Sequence, residues 1–312
     1  MRTTNTSGEI LIDSESSTIA SNTDKIRALY HLTKPGITRM VVLTTTAGYF
    51  LAIPNFVTIQ SLGEQILHFL FTVLGTVLTC AGSCMLNNYI EKDFDKLMKR
   101  TINRGTVTGI VQLRTVLVLG IVLCLSGIIV LSNINILTMC LAIATIVSYV
   151  FLYTPLKRVT TLSLFIGAIP GALPPLGGYT AVTSSIDGTA IVLFGILFLW
   201  QLPHFLALSW MYKQDYQRGG FKMTAVQDAN GTSVATQMII YCLMLSLIAP
   251  MLTITQATGY IYGASSFILG LVFLYFSIKF FNDRTHDKAR NALLSSYAYL
   301  SGVIMVMFLD KQ

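Results

Sequence analysis

Nine apolar stretches of about 17 to 23 residues dominate this chain of 312 residues. A helix needs about 20 apolar residues to cross the hydrocarbon core of a bilayer. Helices are the natural form for such stretches, because the backbone there must satisfy its own hydrogen bonds. The sequence therefore predicts an all-α membrane protein, a bundle of nine transmembrane helices. The stretches cover residues 37–53, 66–86, 115–131, 134–153, 161–180, 189–210, 234–256, 260–280 and 291–309.

The composition agrees with a membrane domain and argues against a soluble one. Hydrophobic residues make up 53% of the chain and charged residues 11%, whereas soluble domains carry about 25% charged residues. Residues 1–24 are rich in Ser, Thr and Asn, which predicts a disordered cytoplasmic tail without a signal peptide. Residues 25–312 are predicted to form a single membrane-embedded domain.

The basic residues predict the orientation of the bundle. Lys and Arg concentrate in cytoplasmic loops. Of the 21 basic residues, all except Lys311 fall near or before the first stretch or near alternate loops, at 92–114, 157–158, 213–222 and 279–290. This separation predicts a cytoplasmic N-terminus and an outside C-terminus. It also accounts for the net charge of +7 without a nucleic-acid partner.

A polar segment continues the second apolar stretch without a proline or a turn signal. If the helix extends through it, Asn87, Glu91 and Asp95 lie at i, i+4 and i+8 and share one face. Asn88 lies beside them, and Asp93 falls on another side of the helix. The spacing thus predicts a row of amide and carboxylate oxygens at one end of a transmembrane helix.

Several cations follow this row of oxygens. Lys96, Lys99, Arg100 and Arg104 come directly after the acids, with Asn103 between them. Carboxylate and amide oxygens are ligands of Mg²⁺, and Lys and Arg neutralise phosphate oxygens that the metal leaves uncovered. This chemistry suits a Mg²⁺–diphosphate pair. The same charges are also typical of a solvated loop at a membrane border, and the pattern alone does not decide between the two.

Prolines interrupt two of the later stretches. Pro170, Pro174 and Pro175 predict a bent or broken fifth helix, and Pro203 predicts a kink near His204 in the sixth. Broken helices are tolerated at membrane depth where they face protein or a cavity. We therefore expect a chamber that opens on the cytoplasm. From the residues alone, His204 is more typical of a buried, hydrogen-bonded histidine than of a functional one.

The motif over residues 87–95, Asn-Asn-x-x-Glu-x-x-x-Asp, resembles the N-D-x-x-D-x-x-x-D motif of the UbiA-type intramembrane prenyltransferases. Within that family, other segments are similar to those of the haem O synthase branch (protohaem IX farnesyltransferases). These segments are Thr33–Pro35, Arg100–Arg104, Tyr153–Arg158, Gly167–Pro175, Trp200–Phe205 and Asp215–Tyr216. The chain departs from the motif because Asn88 and Glu91 stand where Asp is usual. Gly219, not an acid, follows Asp215 by four residues.

The resemblance implies an activity. It is transfer of a farnesyl group from farnesyl diphosphate to a vinyl group of haem b, with addition of water, to give haem O and diphosphate. The implied Mg²⁺ ligands are Asn87, Asn88, Glu91, Asp95 and Asp215. The implied catalytic residues are Asn87, Glu91, Asp95, Arg100 and Lys157. The implied substrate-binding residues are Lys34, Asn88, Asn103, Arg104, Tyr153, Arg158, Gln201, His204 and Tyr216, with His204 contacting haem.

Two other functions share features with this one. A UbiA-type enzyme acting on an aromatic quinone precursor would need the same acids but not the segment from Trp200 to His204. A secondary transporter would place ionisable groups near the midplane, whereas here they crowd one surface. The resemblance further implies a multi-pass protein of the cell membrane with its active site facing the cytoplasm. Haem A synthase or a terminal oxidase would act downstream.

Overall fold

The structure, a computed structural model, describes residues 21–53 and 59–312. These residues form α-helices, and their only β-pairing is an isolated bridge between Thr258 and Lys311. A π-helical segment, Val147–Tyr153, joins the helix Ile136–Ile146 to the short helix Thr154–Leu156. The helices are α1 (Asn22–Leu32), α2 (Pro35–Ala52), α3 (Ile59–Asp95), α4 (Leu113–Ser132), α5 (Ile136–Ile146), α6 (Thr154–Leu156), α7 (Ser163–Thr183), α8 (Gly188–Met211), α9 (Lys213–Arg218), α10 (Thr224–Gln227), α11 (Thr232–Ile248), α12 (Met251–Ile254), α13 (Tyr260–Asn282) and α14 (His286–Leu309).

Seven helical segments in the described part of the chain have the length and apolar composition needed to cross a membrane. They are Leu62–Asp95, Leu113–Ser132, Ile136–Leu156, Gly188–Met211, Thr232–Ile254, Tyr260–Asn282 and His286–Leu309. The other two predicted stretches correspond to α2 and α7, which are 18 and 21 residues long. Thr, Gly and Pro make those two helices less apolar. The prediction of an all-α, multi-pass membrane protein is confirmed.

The described chain begins inside the segment predicted to be a tail. Residues 1–20 of that segment lie outside the described residues. Ser21 caps α1, its side chain accepting from the backbone N–H of Asp24 while the Asp24 carboxylate accepts from the backbone of Ser21. This reciprocal capping box satisfies two N–H groups that a helix start leaves free. It explains why α1 begins at Asn22, ahead of the predicted boundary.

Helix α3 positions the polar segment. It runs without interruption for 37 residues and is therefore about 55 Å long at 1.5 Å per residue. A bilayer core is only about 30 Å thick. No proline or glycine interrupts the last three turns, so the helix continues beyond the apolar stretch, which ends at residue 86. Its end carries the polar row from Asn87 to Asp95.

Helix α7 is not broken, contrary to one alternative predicted from its prolines. It is continuous from Ser163 to Thr183, and α2 packs closely along it. A Cβ on Gly48 would lie 2.0 Å from the Pro175 carbonyl oxygen, and one on Gly178 would lie 2.0 Å from that of Thr45. Close backbone contact of this kind holds helices together in lipid, where burial of apolar area contributes little. Helix α8 likewise continues through Pro203. The chamber was predicted partly because a broken helix was expected, and that argument no longer holds. The chamber stays a prediction.

Candidate active site

Four polar side chains in the last turns of α3 face the interior of the protein. Asn87, Asn88, Glu91 and Asp95 are between 0 and 6% exposed, as the i, i+4, i+8 spacing predicts. Asp93 is exposed on another side of the same helix. Because buried polar groups cost free energy unless they are paired, the partners of these four side chains define the site.

Lys34 connects the start of α2 to this face of α3. Its backbone is left-handed (φ 51°, ψ 64°), a conformation that is uncommon for residues with a Cβ. Its Nζ donates to Asn87 Oδ1 at 2.5 Å and to the Tyr149 hydroxyl at 3.3 Å. Asn87 Nδ2 in turn donates to Thr154 Oγ1 at 3.0 Å. Three separate segments of the chain are thus held together around one amide.

Glu91 forms a buried ion pair with Lys157. The Lys157 Nζ also lies 4.7 Å from the centre of the Tyr153 ring and 5.3 Å from that of Phe221. Burial by itself lowers the pKa of Lys157, but the charge of the Glu91 carboxylate outweighs it and the pKa is raised. Lys157 therefore stays protonated at neutral pH and presents a fixed positive charge to the site.

Asp95 folds the following loop back onto α3. Arg104 donates from Nη1 to Asp95 Oδ2 at 2.5 Å, and Thr101 Oγ1 donates to the Asp95 backbone carbonyl at 2.8 Å. Asp95 is fully buried, whereas the Arg104 side chain is 22% exposed. One side of Arg104 therefore remains open to a ligand.

Asp215 approaches the same loop from α9. Its carboxylate accepts from the backbone N–H groups of Lys99 and Arg100 at 3.2 and 3.3 Å and pairs with Arg218. Burial by itself raises the pKa of Asp215, but Arg218 and the two N–H groups outweigh it and the pKa is lowered. Asp215 thus shapes the loop, and its assignment as a metal ligand stays a prediction.

We expect Asp215→Asn to lower the midpoint of thermal unfolding by several degrees at pH 7. A carboxylate with a lowered pKa stabilises the fold above its unfolded pKa of about 3.9, and this contribution is lost as the pH falls through the folded pKa. The difference from wild type should therefore shrink between pH 5 and pH 3. Asp93→Asn is the control, since Asp93 is exposed and bonds only to Lys96. If the midpoints of wild type and Asp215→Asn differ by the same amount at every pH, the Asp215 carboxylate does not stabilise the fold through its lowered pKa.

A cavity of about 410 Å³ lies between α1 and the loop after α3. Five of the residues predicted from the sequence line it: Lys34, Asn88, Arg100, Asn103 and Arg104. Sequence reasoning missed Arg27 and His31, which enter the lining from α1. It also missed Tyr149, although this residue lies one helical turn before the predicted Tyr153.

The remaining predicted residues lie around this centre. The Arg100 guanidinium stands 5.3 Å from the centre of the Tyr212 ring and 5.9 Å from that of Tyr216. Arg158 stacks over Phe94 at 3.8 Å. These aromatic faces hold the guanidinium groups without using their N–H donors, because the attraction acts through the ring.

Gln201 and His204 belong to a different part of α8. Gln201 Nε2 donates to the backbone carbonyls of Ala168 and Leu197 at 2.7 and 3.0 Å. His204 Nδ1 lies 2.7 Å from Ser296 Oγ, which donates to the Leu293 carbonyl. Nδ1 therefore carries the proton, and Nε2 keeps its lone pair. Within the described residues, neither side chain bonds to the polar face of α3.

The buried oxygens of α3 fit a hard cation such as Mg²⁺. Among the described residues, Asn88 Oδ1 and Asp95 Oδ1 have no hydrogen-bond partner. Glu91 Oε1 is paired with the ammonium group of Lys157. Groups of three or more His, Cys, Asp or Glu residues suited to a metal are absent from the described residues. Mg²⁺ commonly binds through one or two carboxylates and completes its shell with water and substrate phosphate. The donor set is consistent with that mode.

Fold and site together define a multi-pass helical membrane protein with an oxygen-lined, cation-flanked site at the end of a long helix. The chain belongs to the UbiA prenyltransferase family, whose model matches residues 41–303. A protoheme IX farnesyltransferase from Solibacter usitatus is 37% identical over 290 residues, covering 92% of this chain and 99% of that protein. One from Salinibacter ruber is 39% identical over 280 residues, covering 89% and 96%.

Solved structures of the family share the fold. A digeranylgeranylglyceryl phosphate synthase superposes with a TM-score of 0.73 at 15% identity, over 92% of this chain and 98% of that one. A UbiA homologue from Archaeoglobus fulgidus, bound to GPP and Mg²⁺, superposes with a TM-score of 0.64 at 12% identity, over 90% and 99%. At these identities the likeness establishes the fold alone.

Proposed function

We propose that this chain transfers a farnesyl group from farnesyl diphosphate to a vinyl group of haem b, with addition of water, to give haem O and diphosphate. The observation that carries the proposal is the buried face of α3. There, among the described residues, Asn88 Oδ1 and Asp95 Oδ1 have no hydrogen-bond partner. They stand with the Glu91 carboxylate beside the cations Lys34, Arg104 and Lys157. The names of relatives that match nearly the whole chain support haem as the acceptor.

In the proposed reaction, the bond between farnesyl C1 and a diphosphate oxygen breaks and its electron pair leaves with the diphosphate. The vinyl group supplies the electrons of the new carbon–carbon bond, and water adds to the resulting cation and releases a proton. Arg104 and Lys157 stabilise the negative charge that grows on the leaving group. Asn88, Glu91 and Asp95 would hold Mg²⁺, which would supply further positive charge at the phosphate oxygens.

The proposed topology has nine transmembrane helices, with α2 and α7 joining the seven segments described above. The asymmetric distribution of Lys and Arg supports a cytoplasmic N-terminus and an outside C-terminus. The active site then faces the cytoplasm at the cell membrane. We expect a reporter enzyme that works only outside the cell membrane to be active when fused after Gln312, and one that works only in the cytoplasm to be inactive there. Activity of a cytoplasmic reporter at this position would contradict the topology.

The decisive experiment is incubation of the purified protein with haem b, farnesyl diphosphate and Mg²⁺, followed by mass analysis of the pigment. Haem O should appear, and its formation should stop when EDTA removes the metal. An aromatic quinone precursor offered in place of haem tests the other acceptor class. A prenylated quinone precursor without haem O would overturn the proposal. If haem O is the product, haem A synthase or a terminal oxidase would use it.

We expect His204→Ala to weaken haem binding by about tenfold or more, since neutral imidazole suits iron and Nε2 is free to bind. The measurement is an absorbance titration with haem b in detergent. His286→Ala is the control, because His286 is an exposed imidazole at the start of α14. Equal haem affinity in wild type and His204→Ala would remove His204 from the binding site.

A further inference from the structure

The cavity between α1 and the loop after α3 is strongly positive. Its lining holds four cationic side chains, Arg27, Lys34, Arg100 and Arg104, against one carboxylate, that of Asp24. The four cations outnumber this one carboxylate by three. The Asp24 carboxylate also accepts from the backbone and hydroxyl of Ser21 at 3.2 and 2.7 Å.

The four cations divide into two pairs. Lys34 and Arg104 bond to the polar face of α3, through Asn87 and Asp95 respectively. The guanidinium groups of Arg27 and Arg100 form no ion pair with a carboxylate in the described ranges 21–53 and 59–312. The first pair therefore serves the metal and diphosphate site, and the second pair is left without an anion.

The walls of the cavity are held in place by packing. A Cβ on Gly105 would lie 2.9 Å from the Cβ of Ala28, so the loop and α1 are in close contact. Leu32 of α1 is 2% exposed and packs in a cluster with Val111 and Val116. Helix α1 is thus part of the site, and Arg27 is presented to the cavity from a fixed helix.

We propose that this cavity binds the two propionate carboxylates of haem b, with Arg27 and Arg100 as the principal donors. The inference rests on the proposed function and deepens it. The prenyl donor has one anionic group, which the α3 face accommodates, whereas haem brings two carboxylates. These lie on the edge of the porphyrin opposite the vinyl groups. If a vinyl group enters the apolar bundle to react, the carboxylates point back to this end of the helices.

Binding of haem b and of its dimethyl ester tests the proposal. Guanidinium–carboxylate hydrogen bonds are charge-assisted and strong, so wild-type protein should bind haem b about 10- to 100-fold more tightly than the ester. Arg27→Gln should weaken binding of haem b about tenfold and leave binding of the ester unchanged. Lys25→Gln is the matched control, since Lys25 is exposed on the same helix and does not line the cavity. The titrations are made in detergent without Mg²⁺ or farnesyl diphosphate.

Three results would overturn the inference. The first is equal affinity of the wild-type protein for haem b and for its dimethyl ester. If the protein still forms haem O in that case, the proposed function is not affected. A raised KM for farnesyl diphosphate in Arg27→Gln, with haem affinity unchanged, would assign the cavity to the diphosphate. Absence of haem O from the wild-type reaction would contradict the proposed function and, with it, the inference. Retained KM for farnesyl diphosphate in Arg27→Gln shows that the variant is folded.

Discussion

Asp95→Asn is expected to lower the rate of haem O formation by about 100- to 1,000-fold, the range seen when one group that stabilises transition-state charge is removed. Asp95 is fully buried at the end of α3, with one oxygen held by Arg104 and the other without a partner. Asn keeps the shape of the side chain and removes its charge. The loss should therefore fall on kcat, and it should remain at saturating farnesyl diphosphate.

Asp93→Asn provides the matched control for this prediction. It makes the same chemical change two residues away on the same helix, but at an exposed position. Its activity should stay within about twofold of wild type, because exposed ion pairs contribute little. Both variants should elute from size exclusion as wild type does. Full activity of Asp95→Asn with Mg²⁺ limiting would remove Asp95 from the metal site.

The local features of this site follow from sequence because they depend on neighbours along the chain. The extension of α3 to Asp95 follows from the lack of a helix breaker, and the shared face of Asn87, Glu91 and Asp95 follows from helical period alone. The exposure of Asp93 follows from the same period. The order of the motifs, together with these spacings, was sufficient to suggest the family.

The features that sequence reasoning missed depend on contacts between distant segments. Asp215 bonds to the N–H groups of Lys99 and Arg100, 116 and 115 residues away, and no local pattern shows which groups a carboxylate will meet. Arg27 enters the cavity because α1 packs on the loop after α3. The prolines of α7 predicted a bent or a broken helix, and no local pattern shows that the helix continues through them while it packs closely against α2. The π-helical turn at Val147–Tyr153 has no simple sequence signal.

Glu91→Met and Lys157→Met are each expected to destabilise the protein by about 3–5 kcal/mol, because each change leaves an uncompensated buried charge. The side chains of Glu91 and Lys157 are 8 and 10% exposed. The double variant Glu91→Met/Lys157→Met should recover most of this loss, since a buried ion pair replaced by apolar residues of similar volume is often neutral for stability. Thermal unfolding in detergent, compared at one pH, measures these differences.

Activity should not recover with stability in that double variant. If the proposed function is right, Glu91 holds the metal and Lys157 faces the departing diphosphate, so haem O formation should remain about 100-fold or more below wild type. Asp93→Asn/Lys96→Met is the control, because it removes an exposed pair at 2.9 Å on the same helix end and should change neither property much. A double variant that is both stable and active would show that the buried pair only supports the fold. A double variant that is stable but inactive would show that the fold does not need these two buried charges. The charges at this membrane border would then serve the reaction.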